Sequence, residues 1–329
     1  MKVLFIGGTG VISSACSALA VEQGIELYLL NRGQSIRPAP ENAKVLIGDI
    51  HDLDSVRKAL GNLHFDAVVD WIAFRPQQIE TDIQLFRSIT AQFVFISSAS
   101  VYQTPPALLP VTESTILDNP YWEYSRDKIA CEECLVFAYR EEKFPFTIVR
   151  PSHTYDQTLL PFEGHWTVVD RMRRGKPVIV HGDGTSLWTL THHTDFARGF
   201  IGLLGNPHAI GEAVHITSDE WVNWNQIFEI VGYAAGVKPQ LIHIPSEIIN
   251  TYDANWGASL LGDKSISMIF DNSKIKRLVP GFRAEIPFAH GAAEIISWFD
   301  ADPARKSIDP YFDQLCDRIL KSYKFAGSE

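Results

Sequence analysis

The 329-residue chain has little cysteine. Four cysteines are too few for the disulfide framework of a secreted protein, and we expect buried thiols at Cys16, Cys131, Cys134 and Cys316. Cys131 and Cys134 have the C-x-x-C spacing of redox and zinc motifs. A redox pair usually opens a helix, however, and a structural zinc site needs a second pair of ligands, whereas this pair falls inside a predicted helix.

Long apolar runs and positive charge are also scarce. No run approaches the roughly 18 residues that span a bilayer, and the first residues enter a strand pattern without the features of a signal peptide. The net charge of −10 disfavours non-specific attraction to nucleic acid and to anionic membranes. We therefore expect a soluble cytoplasmic protein that binds neither. The one basic cluster, predicted to be a solvated helix end, is Arg171, Arg173, Arg174 and Lys176.

Short apolar strands and helical patterns alternate over the first 150 residues, in a chain that is 46% hydrophobic. The predicted strands are Lys2–Gly7, Glu26–Leu30, Lys44–Ile47, Ala67–Ile72, Phe93–Ser97 and Phe146–Arg150. The predicted helices between them are Val11–Gln23, Leu53–Leu60, Gln78–Ile89 and Tyr124–Arg140. Near-continuous apolar strands joined by helical crossovers predict a Rossmann-like α/β fold, in which a doubly wound parallel sheet is covered on both faces.

The pattern changes after Pro151, where aromatic residues, histidines and turn residues become frequent. We predict a dinucleotide-binding domain over residues 1–160 and a smaller α/β substrate-binding cap over residues 161–329. A strand at Val178–Val180, within residues 176–200, is predicted to rejoin the sheet. Helical patterns in the cap are Trp224–Ala235, Ala289–Phe299 and Tyr311–Tyr323.

A glycine-rich turn links the first strand to the first helix, and the cofactor-binding residues assigned to it are Gly7, Thr9, Gly10, Val11 and Ile12. Glycines allow a tight turn and close approach of the backbone to a pyrophosphate, which the free N–H groups of the helix start then bind. The third position of the motif is Ser13 instead of glycine, which is still small enough for close packing.

The ends of later strands supply further cofactor candidates. The second strand is followed by Asn31 and Arg32, where NAD sites usually carry an acidic residue, and an arginine suits the 2′-phosphate of NADP. NADP is therefore favoured over NAD. Asp49 and Ile50 follow the third strand and are placed to meet the adenine, although an aspartate there is also a common helix cap. Assigned to the same site are Ala73 and Pro151.

Tyr124 and Lys128 are four residues apart in a predicted helix, so they project from one face. A nearby ammonium favours the phenolate, and we expect Lys128 to lower the pKa of Tyr124 from its usual value. Such a pair could exchange a proton with an alcohol near neutral pH. Ser98 ends the fifth strand, at the edge of the sheet where ligands bind.

Together these residues resemble the extended short-chain dehydrogenase/reductases, the NAD-dependent epimerase/dehydratase family, nearly from end to end. The motifs that carry the resemblance are Ser97–Tyr102, Tyr124…Lys128, Arg150–Tyr155, Gly182-Asp183-Gly184, Asp195-Phe196-Ala197, Phe270–Lys274 and Pro287-Phe288…Trp298. The resemblance implies that Tyr124 exchanges the proton, that Lys128 also holds the nicotinamide ribose, and that Ser98 binds the same substrate oxygen. It further implies a homodimer built from helices Gln78–Ile89 and Tyr124–Arg140.

Departures from the family pattern narrow the expected chemistry. Ala99 and Ser100 stand where the dehydratases have Asp-Glu, so dehydration is disfavoured. Trp188 replaces an arginine that binds the diphosphate in many nucleotide-sugar epimerases, and His153 replaces an asparagine. The substrate-binding candidates, which include imidazoles and an indole suited to a sugar, are Ser98, Ser100, His153, Trp188 and His192.

No metal site is predicted, because His192 and His193 as strand neighbours would point to opposite faces. The leading hypothesis is an NAD(P)-dependent epimerase or oxidoreductase that acts on a carbinol of a sugar or nucleotide sugar. The alternatives are proteins of the same fold without catalysis: an RNA-associated protein, which the net charge disfavours, or a cofactor-sensing regulator.

Overall fold

The computed structural model describes residues 1–326. The strands of this range are β1 (Lys2–Ile6), β2 (Glu26–Asn31), β3 (Lys44–Ile47), β4 (Ala67–Asp70), β5 (Phe93–Ile96), β6 (Phe146–Pro151), β7 (His153–Tyr155), β8 (Val178–His181), β9 (Leu187–Trp188), β10 (Leu190–His192), β11 (Glu212–Ile216), β12 (Val222–Asn223) and β13 (Leu241–Ile244). Its α-helices are α1 (Val11–Glu22), α2 (Leu53–Leu60), α3 (Pro76–Phe86), α4 (Glu123–Glu142), α5 (Trp166–Arg173), α6 (His193–Ile201), α7 (Trp224–Ala234), α8 (Ser246–Tyr252), α9 (Ala254–Ser259), α10 (Ser273–Leu278), α11 (Phe288–Asp300) and α12 (Pro310–Ala326).

A seven-stranded parallel sheet forms the centre of the molecule, in the order β11-β6-β5-β4-β1-β2-β3. The chain winds outward in one direction from β1 and in the other from β4, which confirms the predicted Rossmann-like, doubly wound fold. In such sheets the carboxyl ends of the strands on either side of this reversal leave a crevice that binds ligands.

Alternation of side chains along β1 explains why both faces of the sheet are covered. Val3 and Phe5 pack on the face that carries α1 and α6, whereas Leu4 and Ile6 pack on the face that carries α2, α3 and α4. All four side chains are fully buried. A strand that is buried on both faces has a continuous apolar sequence, and this pattern predicted β1.

The strand at Val178–His181 does not rejoin the central sheet, and the prediction that it would is wrong. It pairs in parallel with Leu241–Ile244, in a separate two-stranded sheet of the cap. The seventh strand of the central sheet is instead Glu212–Ile216, which pairs with β6. A short apolar run predicts a buried strand but carries no information about its partner. Helix α6 does return to the central sheet, where it packs against α1.

The cap surrounds its own hydrophobic core, and the basic cluster contributes to its structure. Arg171 is 1% exposed, and its guanidinium donates to Asp317 over 2.8 Å and also binds Asp313, both on α12. The prediction of a solvated helix end is therefore wrong for Arg171. The cysteines are unpaired and are buried or partly buried, as predicted. Among residues 1–326, every helix is too short or too polar to cross a bilayer.

Candidate active site

The glycine turn between β1 and α1 adopts a conformation that side chains disfavour. Gly7 and Gly8 have φ values of +98° and +93°, and Gly10 precedes the first turn of α1. Two serines of α1 hold the turn in place. The Gly10 N–H donates to the Ser13 hydroxyl over 2.7 Å, and the Ser17 hydroxyl donates to the Gly8 carbonyl over 2.7 Å. The serine at the third motif position is thus part of the turn.

The start of α1 is suited to an anion. Gly10 occupies the N-cap position without a side chain that could accept from the first N–H groups of the helix. Those groups have no intrahelical acceptor, and they favour a bound phosphate. Thr9 and Val11 belong to this turn, and Ile12 continues it into the cavity described below. The residues present therefore fit a dinucleotide pyrophosphate.

The ends of β2, β3 and β4 hold the other predicted cofactor residues. The Asn31 side-chain oxygen accepts from the Gly33 N–H over 2.8 Å, and Arg32 is exposed beside it. The Asp49 carboxylate accepts from the His51 N–H over 3.0 Å. Next to this loop is a cavity of about 300 Å³, whose lining includes Ile50, Ala73 and Asp70. The structure thus brings Ile50 and Ala73 together in the lining of one cavity.

A larger cavity of about 430 Å³ opens between the carboxyl ends of the strands and the cap, within the usual size range of small-ligand sites. It contains Tyr124 with Lys128, whose Nζ lies 5.9 Å from the centroid of the tyrosine ring. The cavity brings together eight of the predicted site residues: Ile12, Ser98, Ser100, Tyr124, Lys128, Pro151, His153 and Trp188.

A chain of hydroxyl groups orients Ser98. Its Oγ lies 2.9 Å from the Ser100 Oγ, which in turn accepts from the Ser125 hydroxyl over 2.8 Å. Ser100 and Ser125 are buried, and Ser125 belongs to the first turn of α4, next to Tyr124. These bonds fix the end of β5 relative to the helix that carries the tyrosine.

Lys128 is buried without an acidic partner in contact. Its ammonium donates to the Ala73 carbonyl over 2.7 Å and to the Ile96 carbonyl over 2.8 Å, which attaches α4 to the ends of β4 and β5. Burial lowers the pKa of Lys128 to about 8, because the charged form loses its hydration.

The expected effect of Lys128 on Tyr124 is corrected by the structure. Burial raises the pKa of Tyr124 to about 12, and the Asp263 carboxylate adds to this rise, while the Ser98 hydroxyl opposes it. The prediction of a lowered pKa is wrong for the protein alone, because the loss of phenolate hydration is the largest effect. The spacing of two residues in the sequence gives no information about this loss of hydration.

Two of the three predicted substrate residues that follow Pro151 in the chain line the cavity. His153 has no hydrogen-bond partner at Nε2, and burial lowers its pKa to about 3, so the ring is neutral near pH 7. Trp188 is 4% exposed, and its Nε1 also lacks a partner among the described residues. Both polar atoms are buried, although the two side chains help to line the cavity.

His192 is not among the residues that line this cavity, so the structure does not bring it together with the other predicted substrate-binding residues. Its ring nitrogens bind the Thr194 hydroxyl over 2.8 Å and the Glu294 carboxylate over 3.0 Å. His192 ends β10 and His193 begins α6, so strand alternation does not separate them, and their ring centroids are 4.5 Å apart. Within residues 1–326, no group of three or more His, Cys, Asp and Glu side chains is placed to hold a metal.

Several lining residues of the cavity were not predicted from sequence, and they include Trp71, Phe74, Trp122, Asp263, Lys264, Met268 and Phe270. Trp122 could have been found, since it lies two residues before Tyr124. Asp263 could not, because it belongs to a cap segment that matches none of the motifs and forms a π-helical turn over Leu260–Lys264.

A comparison with known families identifies the class. The model of the NAD dependent epimerase/dehydratase family matches residues 3–217, which is most of the chain. The protein belongs to this family, as the motifs predicted.

Two curated relatives and one solved structure to which the chain is similar have different names and activities. The chain is 24% identical to the 2′-dehydrokanamycin reductase of Streptomyces kanamyceticus over 86% of its own length and 80% of the relative's. It is 26% identical to a chloroplast stem-loop binding protein of 41 kDa from Arabidopsis thaliana, over 74% and 65% of the two chains. An epimerase from Methanothermobacter thermautotrophicus matches the fold with a TM-score of 0.76 at 18% identity, over 93% and 94% of the two chains.

Proposed function

We propose that this protein is an NAD(P)-dependent oxidoreductase that interconverts a ketone and a carbinol on a sugar-like substrate. The observation that carries the proposal is the presence of Ser98, Tyr124 and Lys128 in one cavity, together with Ile12 from the glycine turn. Polar groups with altered pKa values in a cleft mark candidate active sites. Family membership and similarity to a named reductase support the same reading.

In the proposed reaction the nicotinamide, when bound, supplies or accepts the hydride. Tyr124 donates a proton to the carbonyl oxygen during reduction and takes it back during oxidation. The Ser98 hydroxyl donates a hydrogen bond to the same oxygen. The Lys128 ammonium, on the same helix face, stabilises the phenolate that forms as Tyr124 loses its proton. The raised pKa of Tyr124 keeps the phenol protonated near pH 7, which is the state that reduction requires.

The cap favours net oxidation or reduction over epimerisation of a nucleotide sugar. Among the described residues, arginine is absent from the lining of the cavity, and buried Trp188 stands at the position where a diphosphate-binding arginine was expected. Without an arginine that binds a diphosphate, we expect a ketone intermediate to leave the site before it can rotate and accept hydride on its other face. Dehydration is disfavoured because Ala99 and Ser100 provide no carboxyl group.

The cofactor preference proposed is NADP over NAD. Arg32 is exposed at the carboxyl end of β2. Neither Asn31 nor Arg32 has the carboxylate that accepts a hydrogen bond from the ribose 2′-hydroxyl in NAD sites. A guanidinium at this place favours a 2′-phosphate.

The function is tested by cofactor turnover. The purified protein is incubated with NADPH or NADH and a panel of keto sugars, and both the absorbance of the reduced nicotinamide and the sugar isomers are followed. Net consumption that is lost in Tyr124→Phe and kept in Tyr121→Phe, an exposed control, supports the proposal. Isomer interconversion at constant cofactor would make it an epimerase. Activity unchanged in Tyr124→Phe would overturn the mechanism.

We also propose a homodimer formed through α3 and α4. These helices pack against each other, and Phe137 of α4 is 64% exposed. Light scattering should give twice the chain mass, and Phe137→Asp should shift it toward the monomer. A wild-type protein that is monomeric at all concentrations would overturn this proposal.

The similarity to a stem-loop binding protein keeps an RNA-associated function as a defined alternative. The net charge of −10 opposes it. Salt-dependent retention of RNA by the purified protein, with no keto-sugar turnover, would favour that alternative.

A further inference from the structure

Asp263 is the one acidic side chain among the described residues that line the large cavity. It belongs to the π-helical turn Leu260–Lys264, which is packed tightly against the segment before α4. The Gly262 carbonyl accepts from the Asn119 side-chain amide over 2.7 Å, and a Cβ at Gly262 would lie 2.8 Å from the Trp122 Cβ. This packing fixes Asp263 near the start of the helix that carries Tyr124.

Among the described residues, the Asp263 carboxyl has no hydrogen-bond or ion-pair partner. Burial raises its pKa to about 7, and among residues 1–326 no hydrogen bond to its oxygens offsets the lost hydration. The neighbouring Lys264 lowers this pKa in part, but its ammonium lies over the Trp122 ring, 5.7 Å from the centroid, and forms no ion pair with Asp263 in the described chain. The carboxylate form is therefore partly buried with no ion-pair partner among the described residues, and a cationic ligand would stabilise it.

The rest of the cavity suits a sugar ring next to that carboxyl. Trp122 and Trp188 offer aromatic surface to C–H groups, and the neutral His153 ring lines the same cavity. Asp263 and Tyr124 line the same cavity, so one ligand there has both side chains as neighbours, and the charge of Asp263 raises the pKa of Tyr124.

We propose that Asp263 binds an ammonium group of the substrate, so that the substrates of this site are amino sugars. The inference rests on the proposed function of the same cavity and adds the substrate class to it. A hydroxyl group offers the carboxylate only a hydrogen bond from a neutral donor, whereas an ammonium makes a charge-assisted hydrogen bond with it. A bound cation also weakens the electrostatic penalty that Asp263 places on the Tyr124 phenolate.

The test measures binding, so it does not depend on hydride transfer. Glucosamine, its 3-amino and 6-amino isomers, glucose and N-acetylglucosamine are titrated calorimetrically into the NADP-loaded protein. We expect at least one amine to bind about tenfold more tightly than glucose and N-acetylglucosamine, as befits a charge-assisted contact. Asp263→Asn, which keeps the shape but removes the charge, should abolish that preference. Glu247→Gln, at an exposed carboxylate of the cap, should leave it unchanged.

Equal affinity for amines and their neutral counterparts in the wild type would overturn the proposal, as would an amine preference that survives in Asp263→Asn. Failure of the proposed function gives a different result from failure of this inference, because it appears as keto-sugar turnover that survives in Tyr124→Phe. The Tyr124→Phe protein should lose turnover and keep the amine preference, because binding to Asp263 needs no proton transfer from the phenol.

Discussion

The Lys128 ammonium lies 5.9 Å from the centroid of the Tyr124 ring, one helical turn away on the same face of α4. Its hydrogen bonds go to the carbonyl oxygens of Ala73 and Ile96 instead of to the phenol. In the protein alone, Lys128 therefore joins α4 to the ends of β4 and β5.

Lys128→Met should weaken both structure and catalysis. Two buried carbonyl groups lose their donor, which we expect to cost about 1–3 kcal/mol of unfolding free energy. The rate of reduction should fall by about a hundredfold or more, because the phenolate loses its stabilising charge. Urea unfolding and initial rates measure the two effects, with Lys58→Met at an exposed site of α2 as the control. A variant with full activity would contradict the role given to the ammonium.

Arg32→Ala should change the choice of cofactor. Removal of the guanidinium should weaken NADPH binding by about tenfold, since a charge-assisted contact to the 2′-phosphate is lost, and should leave NADH binding nearly unchanged. Fluorescence titration with each reduced cofactor measures the ratio. The control is Arg57→Ala, an exposed arginine of α2. Equal losses for both cofactors would mean that Arg32 does not discriminate between them.

Asp263→Asn should alter the pH dependence of stability. The folded protein holds the Asp263 proton up to about pH 7, whereas the unfolded chain releases it near pH 4. The folded state thus binds more protons between these values, and the stability that this proton confers is lost as the pH rises from about 4 to 7. The variant lacks the titrating group, so its unfolding free energy should increase relative to wild type over that window.

Chemical denaturation at pH 4.5, 5.5, 6.5 and 7.5 measures this difference. Glu247→Gln is the matched control, because it removes a carboxylate of the same cap from an exposed position. A stability difference between Asp263→Asn and wild type that does not vary with pH would mean that Asp263 is not held protonated by the fold.

Sequence patterns could predict the parts of the fold that local chemistry determines. Apolar runs predict the six strands of the first domain, and the glycines predict the turn after β1. The spacing of the motif predicts the helix that carries Tyr124. The partner of Val178–His181 could not be predicted, because a four-residue apolar run fits any sheet with a free edge. The burial of Arg171 was missed for a related reason: its partners on α12 lie more than 140 positions away in the chain.

The residues of the candidate site that belong to sequence motifs could be predicted, whereas the effects of burial in the site could not. Eight predicted residues meet in one cavity, whereas His192 turns to Glu294 outside it. The shift in the pKa of Tyr124 was predicted in the wrong direction, because the burial that raises this pKa is a property of the folded protein. Asp263 was missed because its cap segment matches none of the motifs that the sequence carries.

The most direct test of the account follows a labelled hydride. Nicotinamide cofactor deuterated at C4 is supplied with an amino keto sugar that the wild type consumes, and mass spectrometry and NMR locate the deuterium. The account predicts deuterium on the new carbinol carbon, formed at a rate about 10²–10⁴-fold lower in Tyr124→Phe and unchanged in Tyr121→Phe. Transfer at the wild-type rate by Tyr124→Phe, or a product without deuterium at that carbon, would contradict it.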